Sequence, residues 1–172
     1  MRVAAYPRWW LTKDGDATLL ALYEEHYSCY EYKDGRERSQ FVGPGESIVL
    51  RTDRGDAGFV WRRFIDDSGQ RGVNCAFFRN KSEIQSSELV RQADAVADFA
   101  WPGARHYTYV DPKGIRSTNP GFCFMAAGWE RLYRLNYDGA RVPFLTGSGK
   151  QVIARAPQCS PTTILATQGP TP

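Results

Sequence analysis

The chain of 172 residues has little of what marks several common protein classes. It holds only two histidines and four cysteines, Cys29, Cys75, Cys123 and Cys159, far apart and with no Cys-x-x-Cys pair. Structural zinc sites draw their ligands from closely spaced Cys and His, so no metal site is expected. Reduced thiols in a cytoplasmic compartment are the economical reading. No apolar run approaches the ~18 residues of a membrane span, and Met1 to Pro7 has no signal-peptide core. The expectation is a soluble protein that has no membrane partner and stays where it is made. Internal repeats are lacking. Charge of one sign is scarce too: the net charge is +3 and the pI near 8.7. Strong non-specific DNA binders carry a larger basic excess or a concentrated stripe, whereas an enzyme touching nucleic acid in passing looks like this.

What is present fits one domain of α/β type, over residues 1–155, followed by a mobile Pro/Thr/Gln/Gly-rich tail over 156–172. Five Trp, nine Tyr and nine Phe either fill a core or face flat ligands. Asp16 is a good N-cap for a helix over 17–27, with His26 and Tyr27 at its C-terminal end. Segments 47–52 and 57–64 read as a hairpin joined by Asp53-Arg54-Gly55-Asp56. The nearly continuous apolar run Val73 to Phe78 reads as a central strand covered on both faces. Ser86 or Ser87 caps a helix running to Ala100, which Trp101-Pro102-Gly103 stops. A strand over 106–110 and a short helix from Asn119-Pro120 to Ala127 follow. Asp138-Gly139 then marks a hairpin between 131–137 and 141–145. The β–α–β unit in the middle demands a parallel, right-handed crossover, and the antiparallel neighbours make the sheet mixed.

Three stretches carry chemistry. Phe77-Phe78-Arg79-Asn80-Lys81 leads from the buried strand through a polar loop to Ser86-Ser87 at the head of a helix. Free helix amides beside Arg79, Lys81 and two hydroxyls suit a pyrophosphate, and the same residues also make an ordinary β–α turn. Asp111 ends a strand, where open α/β sheets place ligands, and Asp before Pro also starts turns. His26 at a helix end reads as a surface residue unless the fold brings it to the pocket of Asp111.

Gly72-Val73-Asn74-Cys75-Ala76-Phe77-Phe78-Arg79-Asn80, Ser86-Ser87-Glu88-Leu89-Val90, Trp101-Pro102-Gly103, Thr108-Tyr109-Val110-Asp111 and the segment Asn119 to Trp129 resemble the Mom-like family of phage and prophage DNA-modification proteins. That family has a GNAT-like acyltransferase fold, and the likeness covers roughly residues 16–146. It implies a mixed, splayed β-sheet flanked by helices and an acyl-coenzyme A cofactor, acetyl-CoA in the simplest case. It also implies pantetheine against the strand over 73–78 and pyrophosphate at the following helix. Phe77, Phe78, Arg79, Asn80, Ser86 and Ser87 would then bind the cofactor, while His26, Tyr27 and Asp111 match positions implicated in the chemistry. The usual glycine-bearing pyrophosphate loop of GNAT enzymes is missing between Arg79 and Ser86.

The function expected is transfer of an acyl group to an amine on a DNA base, an adenine amine or an aminomethyl pyrimidine, protecting phage DNA from host restriction. Asp111 or His26 would take the proton, and Tyr27 or Tyr109 would reprotonate the thiolate. Arg8, Trp9, Trp10, Arg62, Arg63, Lys113 and Arg116 would engage DNA. The alternative is a non-catalytic DNA- or protein-binding phage factor on a degenerate scaffold of the same fold.

Overall fold

The computed structural model describes residues 7–158. In chain order the elements are β1 (Trp10–Thr12), α1 (Ala17–Glu24), β2 (Glu46–Arg51), β3 (Ala57–Arg63), β4 (Val73–Asn80), α2 (Ser86–Ala100), β5 (His106–Val110), α3 (Phe122–Ala126), β6 (Glu130–Arg131), β7 (Tyr133–Leu135), β8 (Arg141–Pro143) and β9 (Gln151–Arg155). Seven strands form one mixed sheet in the order β1-β2-β3-β4-β5-β9-β6, and β7 and β8 make a separate hairpin. No helix of the described residues is long and apolar enough to cross a membrane.

Alternation along β3 assigns the two faces. Phe59 and Trp61 pack with Leu89, Ala93, Val96 and Ala97 of α2, while Val60 packs with Leu19 and Leu22 of α1 on the other side. Two indoles fasten α2 to the sheet, because Trp9 Nε1 donates to Leu89 O and Trp61 Nε1 to Ala93 O, each at 2.9 Å. These carbonyls lie one helical turn apart on the apolar stripe that the sequence shows.

The central pair is β4 with β5, parallel and adjacent, as the β–α–β order requires. Its ladder covers only Val73↔His106, Asn74↔Tyr107 and Cys75↔Thr108. Beyond these pairs β4 runs on to Asn80 and β5 to Val110 without facing each other, so the sheet splays at its C-terminal edge. On the other side of β4 the register with β3 slips: Trp61 faces Cys75 and Val60 faces Phe77, which leaves Ala76 as an extra, unpartnered residue. The slip lets Asn74 and Phe77, three residues apart, share the α1 face. At the opposite end the pair is closed tightly. Val73 N donates to Arg105 O at 2.8 Å, and a Cβ on Gly72 (φ +118°) would lie 2.1 Å from that carbonyl.

That closed end holds a buried polar cluster. Asp94 of α2 accepts from Trp129 Nε1 (2.9 Å) and binds His106 Nδ1 (2.8 Å), while Arg155 of β9 grips Asp98 with both oxygens at 2.7 Å. His106 is fully buried and Asp94 is 5% exposed. The cluster joins α2, β5, β9 and the residue before β6.

Several sequence expectations need correction. The first helix ends at Glu24, not at 27, so His26 and Tyr27 stand in the turn that follows. Asp16 does cap it, accepting from Thr18 N and Leu19 N. The N-cap of α2 is Gln85 without a side-chain cap bond, not Ser86 or Ser87. Strands β6 and β9 are additions, and β9 takes the place beside β5. The expected tail lies outside the described residues from position 159 onward.

Candidate active site

The splay opens a cleft of about 570 Å³ on the α1 face. Its walls are the turn after α1 (Tyr23, His26, Tyr27, Ser28), Phe41 and Val42, the bulged stretch of β4 from Asn74 to Phe78, Thr108 to Val110 of β5, and Phe122 to Phe124 at α3. The bulge explains the opening, since Ala76 is unpartnered on the β3 side at the level where β5 has already departed on the other. A strand main chain exposed on such an edge offers hydrogen-bonding groups to a bound ligand.

His26 lies edge-on to Phe77 (5.2 Å between ring centroids) and against Tyr27 (4.4 Å). Ser28 N donates to its Nδ1 at 3.3 Å, and Ser28 Oγ lies 2.7 Å from the same nitrogen, so the lone pair is held within the turn. Burial, then the nearby Arg79 guanidinium, depress its pKa to about 4, with a hydrogen bond to the Phe78 main chain opposing them. The imidazole is therefore neutral at pH 7. Proton NMR titration should find one of the two histidines at about pH 4, and Arg79→Ala should move it up toward 6.5 by removing a positive neighbour. Linked to folding, a depressed His pKa means stability is full above the unfolded value of 6.5 and declines as pH falls from 6.5 to 4, by about 3 kcal/mol. A wild-type value near 6.5 would contradict this placement.

The Asp111 main chain lies against the Tyr27 hydroxyl, and burial raises the phenol's pKa. The Asp111 carboxylate, however, accepts from Lys113 N at 2.9 Å in its own turn and is not a wall of the cleft. It is a turn former here rather than a base facing the opening. The carboxylate that does line the cleft is Asp66, from the loop after β3. Its Oδ1 accepts from Tyr109 (3.0 Å) and from Ser68, whose hydroxyl also contacts Tyr109. Burial works against the Asp66 charge, but the Ser68 and Tyr109 hydrogen bonds outweigh it and hold the carboxyl below its usual range. Burial pushes the Tyr109 phenol well up, so it keeps its proton.

Phe77 and Phe78 line the cleft as expected. Arg79 and Lys81 converge, yet on a protein carboxylate: Arg79 reaches Glu25 O (2.7 Å) and Oε2 (3.0 Å), and Lys81 Nζ reaches Glu25 Oε2 (2.8 Å). Asn80 shapes the loop instead of facing outward, donating to Ile84 O and Ser86 Oγ and accepting from Ser82 N. Ser87 is buried.

The basic and aromatic residues expected to meet DNA do not share a face. Trp9 is fully buried in the α2-side core and is removed from any surface. Arg8 touches Gln92 and Glu88 on α2, and Arg63 lies near Glu46 at the far end of the sheet. Trp10 is half-buried on the edge strand β1, and Lys113 and Arg116 are exposed on the loop after β5. Arg62 alone of the set lines the cleft.

Sequence reading missed Asp66, Ser68 and the side chain of Asn74. The first two sit in a stretch that reads only as a turn, and Asn74 is the polar break in the apolar run of β4. Among the described residues no cluster of His, Cys, Asp and Glu is arranged to hold a metal. Comparison with protein-family models, with curated proteins and with solved structures finds no match to this chain.

Proposed function

We propose that this protein is a GNAT-like N-acyltransferase that takes an acyl group from acyl-coenzyme A, acetyl-CoA in the simplest case, and transfers it to an amine on a base of phage DNA. The observation that carries the reading is the parallel pair β4–β5 parting after Cys75–Thr108, with the bulge at Ala76 on the open side. A slot between splayed strands accepts an extended thiol arm that pairs with strand main chain in place of the missing neighbour. The Mom-like resemblance supplies the acceptor class.

In this reading the acceptor nitrogen attacks the thioester carbonyl and a C–N bond forms. Main chain at the bulge, near Ala76, holds the resulting oxyanion. Collapse breaks the C–S bond, and the leaving thiolate takes the proton of Tyr109. The proton lost by the acceptor nitrogen passes through the Asp66–Ser68 network to restore the phenol. The products are an amide and coenzyme A thiol, so no further reactant is needed.

The pyrophosphate end is guarded by Glu25, which neutralises Arg79 and Lys81. An anion seated there must displace an exposed carboxylate, which costs little because surface ion pairs are weak. Glu25→Gln is therefore expected to tighten coenzyme A binding a few-fold by titration calorimetry; weaker binding would show that the cations do not meet the phosphates. The same Glu25 contact favours the rival reading, a non-catalytic binding factor on this scaffold. Mass spectrometry of nucleosides from DNA co-expressed with the protein separates the two. A base heavier by one acyl group supports the enzyme, and unmodified DNA with a folded protein supports the rival.

A further inference from the structure

Among the described residues, two buried polar atoms at the floor of the cleft have no hydrogen-bond partner. Asn74 of β4 is 3% exposed, and its Oδ1 is sealed from solvent without a hydrogen bond. Arg62 of β3, its cross-strand partner, also lines the cleft, and its Nε is buried and unbonded. Cross-strand partners share a face, so acceptor and donor belong to the same side of the sheet. Arg62 is held in place by Nη1 donating to Val42 O at 3.4 Å and by the Phe64 ring 5.4 Å away. Leaving such groups unpaired is costly in a native fold, which makes this pair the strained part of the cleft.

We infer that Arg62 and Asn74 recognise the acceptor by a planar amide-type edge, an N–H donor beside a C=O or ring-nitrogen acceptor. The N–H of such an edge satisfies Asn74 Oδ1, and its neighbouring acceptor takes the Arg62 N–H. An aliphatic ammonium group offers donors alone and would face the Arg62 cation. Asn74 precedes Ala76 by two residues, ~7 Å along a strand, so an edge held here presents its substituent at the bulge. The inference rests on the acyltransferase reading for its purpose, but the recognition itself requires no cofactor.

The test uses four small probes and NMR shifts of the main-chain amides over 73–77 in the full-length protein. Benzamide presents the edge on a carboxamide and cytidine presents it on a base. N,N-dimethylbenzamide lacks the donor, and benzylamine is an aliphatic amine. Benzamide and cytidine are expected to bind at least about tenfold more tightly than the two controls. In Asn74→Leu that preference should vanish while the melting temperature holds or rises, because an orphaned polar group has been removed. Arg62→Met should lower affinity for benzamide and spare benzylamine. Equal binding of all four probes overturns the inference, as does a preference kept in both variants. A marked fall in the melting temperature of Asn74→Leu also overturns it, since Oδ1 would then serve the fold. Binding of benzamide but not cytidine restricts the edge to carboxamides. Acetyl-CoA titrated separately divides the two claims: loss of cofactor binding with the preference intact removes the acyltransferase reading and leaves the recognition standing.

Discussion

Asp94→Ala should destabilise the protein by about 3–5 kcal/mol, the cost of removing one partner from a buried ionic cluster. The carboxylate is shared by Trp129 Nε1 and His106 Nδ1, both inside the α2-side core, and Arg155 Nε stands 3.6 Å from it. Alanine strands the indole donor and takes the carboxylate partner from the imidazole where water cannot reach them. At this chain length the loss corresponds to a fall in melting temperature of about 8–15 °C. Asp94→Asn keeps an acceptor for the indole and should lose distinctly less. Chemical denaturation of the three proteins checks the order, and a loss below about 1 kcal/mol for Asp94→Ala would show that the cluster does not clamp the sheet. The clamp matters for function because it holds α2, β5 and β9 together at the closed end. The same two central strands can then part at the other end without the sheet coming apart.

Tyr109→Phe is expected to lower kcat by about 10²–10³-fold, within the range for loss of a general acid, while acetyl-CoA affinity stays nearly unchanged. The phenol lies on the splayed part of β5, is bonded to Asp66 and Ser68, and keeps its proton because burial raises its pKa. Phenylalanine preserves the ring contact with Tyr107 and removes the hydroxyl with its bonds to Asp66 and Ser68. Release of coenzyme A thiol in the presence of acceptor DNA measures the rate. A variant with normal kcat would remove Tyr109 from the chemistry, and a variant that loses cofactor affinity in step with rate would make it a binding residue instead.

The central unit was legible in the sequence. An apolar run over 73–78, a helix from 86 to 100 and a strand over 106–110 gave the parallel pair, because each carries its own periodicity and stop signals. Asp138-Gly139 likewise marked the hairpin of β7 and β8. Strand β9 was not legible: Val152, Ile153 and Ala154 are three apolar residues after a Gly-rich turn, and only the vacancy beside β5 makes them a strand. The bulge at Ala76 has no local signal either, since it is a mismatch of register between two strands.

The site followed the same division. Phe77 and Phe78 could be placed from strand position, whereas nothing in the spacing of Tyr27 and Asp111 requires them to meet. Asp66 could not, because a loop residue reaches a cleft through tertiary placement alone. Glu25 was hidden for a related reason: Arg79 and Lys81 look like an anion seat until the fold supplies a carboxylate fifty-odd residues away in sequence. Trp9 shows the reverse error, an aromatic beside a basic residue that the core claims.

The most direct test of the account is calorimetric titration of acetyl-CoA into the purified protein. The acyltransferase reading predicts saturable one-to-one binding in the micromolar range. No binding at millimolar acetyl-CoA, with the protein folded, would contradict the acyltransferase reading.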